Sequence, residues 1–388
     1  MNGAEPVRPP SAASRRPRGG ILVNLLFVVA LGFTLIGLVE SAFVLYDMFT
    51  GHSLSARMTP DLELGIRSWT FHHAMRPGYD IPPVRTNSFG LRSPEVAVPK
   101  RPGTYRILLL GDSFTFGFRA AGDVVFARKL ERLLRDRGNP SVEVVNAGVL
   151  SYCPLLEYLQ YRDTLSVLEA DLVILNFDMS DVQDHLEYSR SAVFSPEGEP
   201  LFVTEPSLRT PPGFPRLLSF EWVRRHVLAL TRKRQSTLEG SPFARDIDRY
   251  IWALDGGPEM DREVQSTLAP ILSLAALLRH QGIPFVLATY PQPWQVSADA
   301  TPLPPVREQY NIGYNRVHLN DRAFRKVEAF ASSHGIAFVN ATSAFRSASR
   351  PADLFMAGDF HFTPRGHALY AEVLAAHIAS RSGSPAAH

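Results

Sequence analysis

Two short stretches at opposite ends of one region carry the residue types of acyl-transfer chemistry. The first is GDSFTFG (111–117), in which Ser113 follows an apolar run. The second is GDFHFTPRGH (358–367), which holds Asp359 and His361. A serine hydroxyl becomes a useful nucleophile only when an adjacent base takes its proton, and histidine is that base near neutral pH when a carboxylate orients its ring. Residues two apart in extended backbone put their side chains on the same side, so Asp359 and His361 can act together. Bland readings compete: Ser113 can serve simply as a turn cap, Asp359 as a turn residue and His361 as a loop filler. His367 is a rival base, but it falls inside the helix that Thr363, as cap, and Pro364, at the first helical position, begin and that runs through about Ser380.

Positioning these residues needs rigid elements. The runs YRILLL (105–110), VEVVNAG (142–148), DLVILNF (171–177), PFVLATY (284–290) and IAFVN (336–340) predict strands buried on both faces. Between and around them, Val124–Arg137, Leu155–Leu168, Ser266–His280 and Asp321–Ser333 predict helices. The alternation implies an α/β domain with a mainly parallel sheet, whose strand carboxyl ends are where ligands bind. Ser113 stands at such an end. Residues 46–103 read as a lead-in with short elements. The segment 189–262, with a Pro-rich stretch at 206–216 and the basic run WVRRHVLALTRKR (222–234), breaks the alternation and reads as an insertion.

Composition excludes several classes. With 40 Lys plus Arg against 38 Asp plus Glu, the formal charge is +2, which argues against a nucleic-acid binder. The 26 Gly and 31 Pro stay well below disordered or collagen-like levels. Cys153 is the single cysteine, so neither an internal disulfide nor a cysteine-based zinc site can form.

The N-terminus points to a membrane. Residues 1–20 carry Arg8, Arg15, Arg16 and Arg18 against Glu5, and residues 21–45 run apolar apart from Asn24, Glu40 and a few hydroxyls. At 1.5 Å per residue that run spans roughly 37 Å, enough for a bilayer core of about 30 Å. The basic flank precedes it, so residues 1–20 are expected in the cytosol and residues beyond 45 outside it, in a periplasmic position. A cleaved signal peptide fits less well: the apolar run is long, and cleavage after Ala42 would set Glu40 where a small residue is preferred.

Ser113 in its strand-end motif, followed far downstream by Asp359-x-His361, resembles the SGNH (GDSL-like) hydrolase family over roughly residues 104–380. RTNSFGLRSPE (85–95) resembles the approach segment of membrane-anchored bacterial members. The resemblance implies a flavodoxin-like three-layer α/β/α sandwich that hydrolyses esters or moves acetyl groups without a cofactor; no convincing cluster of metal ligands is seen in the sequence, so no metal is expected. It makes Ser113 the nucleophile, His361 the general base and Asp359 its orienting carboxylate, although many relatives place the aspartate three residues before the histidine. Gly148 matches the glycine whose N–H joins that of Ser113 in the oxyanion hole. In FDMSDVQD (177–184), Ser180 stands where relatives have an oxyanion-binding asparagine; Asn176 lies inside the strand, and Asp181 and Asp184 are expected to organise the loop rather than bind metal.

The leading expectation is an esterase or deacetylase acting on an extracytoplasmic O-acylated glycan or small ester. An O-acetyltransferase for a cell-surface polysaccharide would use the same acyl-enzyme. A catalytically silent glycan-binding protein of the same fold is the third reading, favoured by Ser180 and opposed by the three retained residues. The membrane is contacted through residues 21–45; no protein partner is legible.

Overall fold

The computed structural model describes residues 19–50, 64–205, 258–301, 316–319 and 321–382. Five strands form the main sheet: Tyr105–Gly111 (β1), Val142–Asn146 (β2), Leu172–Phe177 (β3), Phe285–Thr289 (β4) and Ala337–Asn340 (β5). Their order is β2-β1-β3-β4-β5, and every neighbouring pair is parallel. The chain therefore turns outward in opposite directions from β1 and β3, and the crevice between their carboxyl ends is the natural ligand site of such a sheet.

The apolar runs form strands because both faces are covered. Ile107 and Leu109 of β1 join one core with Phe126, Leu130, Tyr370 and Leu374, while Leu108 and Leu110 join the other with Leu156, Ile271 and Phe324. This period-two split sends alternate side chains to opposite layers. Phe126–Asp136 (α1) and Pro364–Ser382 (α6) cover the first face. Pro154–Gln160 (α2), Ser180–Ser189 (α3), Pro258–His280 (α4) and Arg322–Ser333 (α5) cover the second. The alternation of elements implied a mainly parallel sheet and the resemblance a three-layer sandwich, and the chain has both.

Three elements differ from the sequence reading. The helix expected over Leu155–Leu168 is regular only to Gln160; a wide π turn, Tyr161–Leu165, and a tight turn, Ser166–Leu168, follow. Thr164 and Ser166 hydroxyls donate back to the Gln160 and Arg162 carbonyls, which loosens the helical ladder. α4 begins at Pro258, eight residues before the expected start at Ser266. α3 was not read from the sequence at all, and Ser180 is its first residue.

The lead-in does more than precede the domain. Gly65–Arg67 pairs antiparallel with His73–Met75, and Leu64, Met75, Leu91 and Val96 are buried in the core. Of the expected insertion, Ala192–Phe194 and Pro200–Val203 form an antiparallel pair, and Val203 bridges Phe71. Both the Pro-rich stretch at 206–216 and the basic run at 222–234 lie outside the described residues.

Gly19–Thr50 forms a 32-residue helix within a separate compact unit. Among the described residues, no helix is long and apolar enough to cross a membrane. Leu26, Phe27, Val28 and Phe33 of this helix are exposed.

Candidate active site

β1 ends at Gly111, and the chain then makes one helical turn, Ser113–Phe116. Asp112 caps that turn, accepting the Phe114 N–H at 2.9 Å, and Gly117, with φ 83°, closes it in the left-handed conformation that glycine adopts without strain. A helix this short leaves its carbonyls without partners, and a buried side chain supplies them. The Arg92 guanidinium donates to the carbonyls of Phe116, Gly117, Ala120 and Pro83. Burial pulls Arg92 down to about 10. The approach segment thus holds the turn that presents Ser113, a role the sequence reading did not assign to Arg92.

Ser113 Oγ lies 2.8 Å from His361 Nε2, and His361 Nδ1 lies 2.6 Å from Asp359 Oδ1. Asp359 Oδ1 also accepts the Phe360 and His361 N–H groups at 2.7 and 3.0 Å, so the carboxylate folds back on its own loop and fixes both rotamers. Its other oxygen, Oδ2, meets Arg119 Nη1 at 3.0 Å. Burial pushes the Asp359 carboxyl up, but the hydrogen bonds and charge of His361 and the Arg119 guanidinium outweigh it and hold it down at about 2. Asp359 is therefore ionised and acceptor-only, which places the imidazole proton on Nδ1 and leaves Nε2 to accept from Ser113. The rings of Phe114, Phe118 and Phe360 surround the imidazole at centroid distances of 4.9, 5.0 and 4.4 Å.

The rival base is placed elsewhere. His367 sits in α6, 1% exposed, with Nδ1 accepting the Phe126 N–H at 3.4 Å. Burial, then the charges of Arg92, His361 and Lys129, press it down to about 3. Its part is packing between α1 and α6. Thr363 caps α6 as expected, its hydroxyl oxygen accepting the Gly366 N–H at 3.3 Å.

The two remaining oxyanion candidates are engaged internally. Gly148 donates its N–H to Asn146 Oδ1 at 3.0 Å, so the expected second backbone donor is already spent. Its lack of a side chain serves close packing instead: a Cβ there would lie 2.3 Å from Phe116 N. Ser180 donates its hydroxyl to Asp178 Oδ1 at 2.5 Å, and its N–H goes to the same oxygen at 2.7 Å. A hydroxyl has one hydrogen, so in this arrangement it points at Asp178. The Ser113 N–H has no partner among the described residues. Asn176, inside β3, donates to the Leu110 carbonyl and accepts from the Tyr370 hydroxyl, which leaves it no part at the cleft.

Beneath Ser113, Asp112, Asp178 and Asp181 bring carboxylate oxygens within 4.8 Å of one another, all buried. These are the described residues that could hold a cation. Protein donors already fill much of the set: Phe114 N–H and Tyr290 hydroxyl on Asp112, Ser180 and Gln292 on Asp178, and the Asp178 N–H on Asp181. Burial pushes all three upward, and the charge of neighbouring carboxylates adds to it at Asp112 and Asp181, which rise furthest. Asp181, in the first turn of α3, accepts the Asp178 N–H at 3.1 Å and so ties the end of β3 to that helix.

A parallel sheet of this order, with a histidine-bonded serine at the carboxyl end of its first strand, defines an ester-bond hydrolase on a flavodoxin-like scaffold. The model of the GDSL-like lipase/acylhydrolase family matches residues 109–369, and the chain belongs to that family. It is similar to the lipase/acylhydrolase from Enterococcus faecalis, at 13% identity and TM-score 0.40, over 72% of this chain and 97% of that one. It is also similar to Axe2, an acetylxylan esterase from Geobacillus stearothermophilus, at 14% identity and TM-score 0.40, over 71% of this chain and 94% of that one. A third similar structure is a lipolytic protein of the G-D-S-L family from Desulfitobacterium hafniense, at 14% identity and TM-score 0.38, over 70% and 99% of the two chains. No curated protein matches the chain.

Proposed function

We propose that this chain is a serine-dependent esterase or deacetylase that forms an acyl-enzyme on Ser113 from an O-acylated glycan or small ester. The observation that carries the proposal is the continuous chain from Ser113 Oγ through His361 to Asp359, with both links at hydrogen-bond length. Ser113 Oγ attacks the ester carbonyl while its proton passes to His361 Nε2; the imidazolium formed is stabilised by Asp359. Collapse of the tetrahedral intermediate expels the alcohol, which takes the proton from Nε2. Water, activated by the same nitrogen, then releases the acid and restores Ser113.

The free Ser113 N–H is the first oxyanion donor. Ser180 is the second in this reading: its hydroxyl turns from Asp178 to the developing oxyanion, an exchange of one charged acceptor for another. The test is hydrolysis of short 4-nitrophenyl esters and O-acetylated oligosaccharides by the full chain in detergent, with and without an added sugar acceptor. Ester cleavage lost in Ser113→Ala supports the reading. Acyl product appearing only on the acceptor would make the protein an O-acetyltransferase, and absence of both activities together with an unlabelled Ser113 would favour the glycan-binding reading.

We also propose that residues 21–45 anchor the chain in a bacterial inner membrane with the hydrolase domain outside the cytoplasm. The apolar run, its exposed Leu26, Phe27 and Phe33, and the Arg cluster before it support this. A reporter that works only in the cytoplasm, fused after His388, should be silent; a strong signal would reverse the topology.

A further inference from the structure

Arg119 is an unusual residue at its position. It lies just past the nucleophile turn with φ 60°, the left-handed conformation that a non-glycine side chain enters at a cost. Such a conformation persists where surrounding interactions hold it, and these concentrate at functional sites. What holds Arg119 is on both of its sides. Its Nη1 lies 3.0 Å from Asp359 Oδ2, and its guanidinium sits over the Phe118 ring at 5.4 Å. Phe118 in turn packs against the His361 ring at 5.0 Å. The side chain is 63% exposed, so it roofs the dyad from the solvent side rather than filling the core.

We infer that Arg119 is a positioning residue that clamps the outer oxygen of Asp359 and thereby holds the carboxylate against His361 Nδ1. The inference rests on the proposed triad. Asp359 Oδ1 already takes three donors from its own loop, which fixes one oxygen; Arg119 fixes the other, so the carboxylate cannot rotate away from Nδ1.

The consequence is kinetic. Without the guanidinium the carboxylate is held by one oxygen only, so the imidazole is less firmly aligned for proton transfer. The experiment measures kcat and KM for ester hydrolysis, and the rate at which a fluorophosphonate labels Ser113, for the full chain and for Arg119→Met, Arg119→Gly and Arg119→Lys. The Met and Gly variants should lose about 10-fold in kcat with KM nearly unchanged, and a similar factor in labelling rate. Lys should keep most of the activity. Gly relieves the backbone strain, so its Tm should equal or exceed that of the wild type while its activity falls. Met and Gly variants with the wild-type kcat and labelling rate would overturn the inference, as would a Gly variant whose activity loss comes with an equal loss of Tm. Ser113→Ala is measured alongside: undiminished turnover there would sink the triad itself, whereas a Ser113-dependent enzyme indifferent to Arg119 would sink only the clamp.

Discussion

Gln292 donates to Asp178 Oδ2 at 2.9 Å, so the carboxylate that holds Ser180 is itself held by the segment after β4. Asp178 is fully buried, and the segments that follow the paired strands β3 and β4 meet at this contact. Ser180, at the position where the resemblance leads one to expect an asparagine, has its hydroxyl tethered to a neighbouring carboxylate.

That tether sets the first prediction. Ser180→Ala should lower kcat about 10-fold and leave KM nearly unchanged, because the donor acts mainly on the charge of the transition state. Steady-state kinetics on one chromogenic ester checks it. An unaltered kcat would assign the Ser180 hydroxyl to Asp178 alone and leave a hole built on the Ser113 N–H.

Ser113→Ala and His361→Ala should each reduce turnover at least about 1,000-fold, and the double variant should be little worse than either single. Ser113 lies in an open crevice and contributes little packing, so the Ser113→Ala melting curve should overlay the wild type to within about 0.5 kcal/mol. Additive losses would place the two residues in different sites.

The buried carboxylates predict a pH-dependent stability. Burial, then the charges of Glu157, Asp178 and Asp112, raises Asp181 well above the usual carboxylate range, and its Oδ1 has no hydrogen-bond partner among the described residues. A folded-state value above the unfolded one contributes stability below the unfolded value, and that contribution is lost as pH rises through the folded one. Asp181→Asn removes the charge at nearly constant volume, so it should raise Tm at pH 8 by a few degrees, roughly 1 kcal/mol, with a smaller gain at pH 5. Asp359 runs the other way. Held at about 2, it stabilises the fold above its unfolded value, and that support fades as pH falls toward 2. Thermal melts across pH 3–9 test both signs; an Asp181→Asn variant less stable than wild type at pH 8 would contradict the first.

Gly148→Ala should damage fold and activity together. Its Cβ would meet Phe116 N at 2.3 Å and the Thr115 carbonyl carbon at 2.7 Å, both backbone atoms of the turn that carries Ser113. Relief requires moving that turn, at a cost of about 1–3 kcal/mol and a displaced nucleophile. Thermal melting paired with kinetics checks this, and a variant with normal Tm and kcat would show that the turn can move freely.

What the chain's sequence determined by itself was local chemistry and periodicity. The five apolar runs became the five strands because a buried parallel strand needs apolar side chains on both faces, a property written in consecutive residues. Ser113, Asp359 and His361 were legible because each sits in a short motif with a turn or cap beside it. Helix extents were less legible: α4 starts about two turns earlier than its pattern indicates, and α3 has only a weak apolar stripe in SDVQDHLEYS. The tertiary structure alone decided which donor meets which acceptor. Arg92 reaching the carbonyls after Ser113, Gln292 reaching Asp178 and Arg119 reaching Asp359 all join residues far apart in the chain. It also decided that Gly148 and Ser180 satisfy Asn146 and Asp178. A residue type states what a group can donate or accept; which partner it takes depends on distances of about 3 Å, and only the packing of the layers sets those.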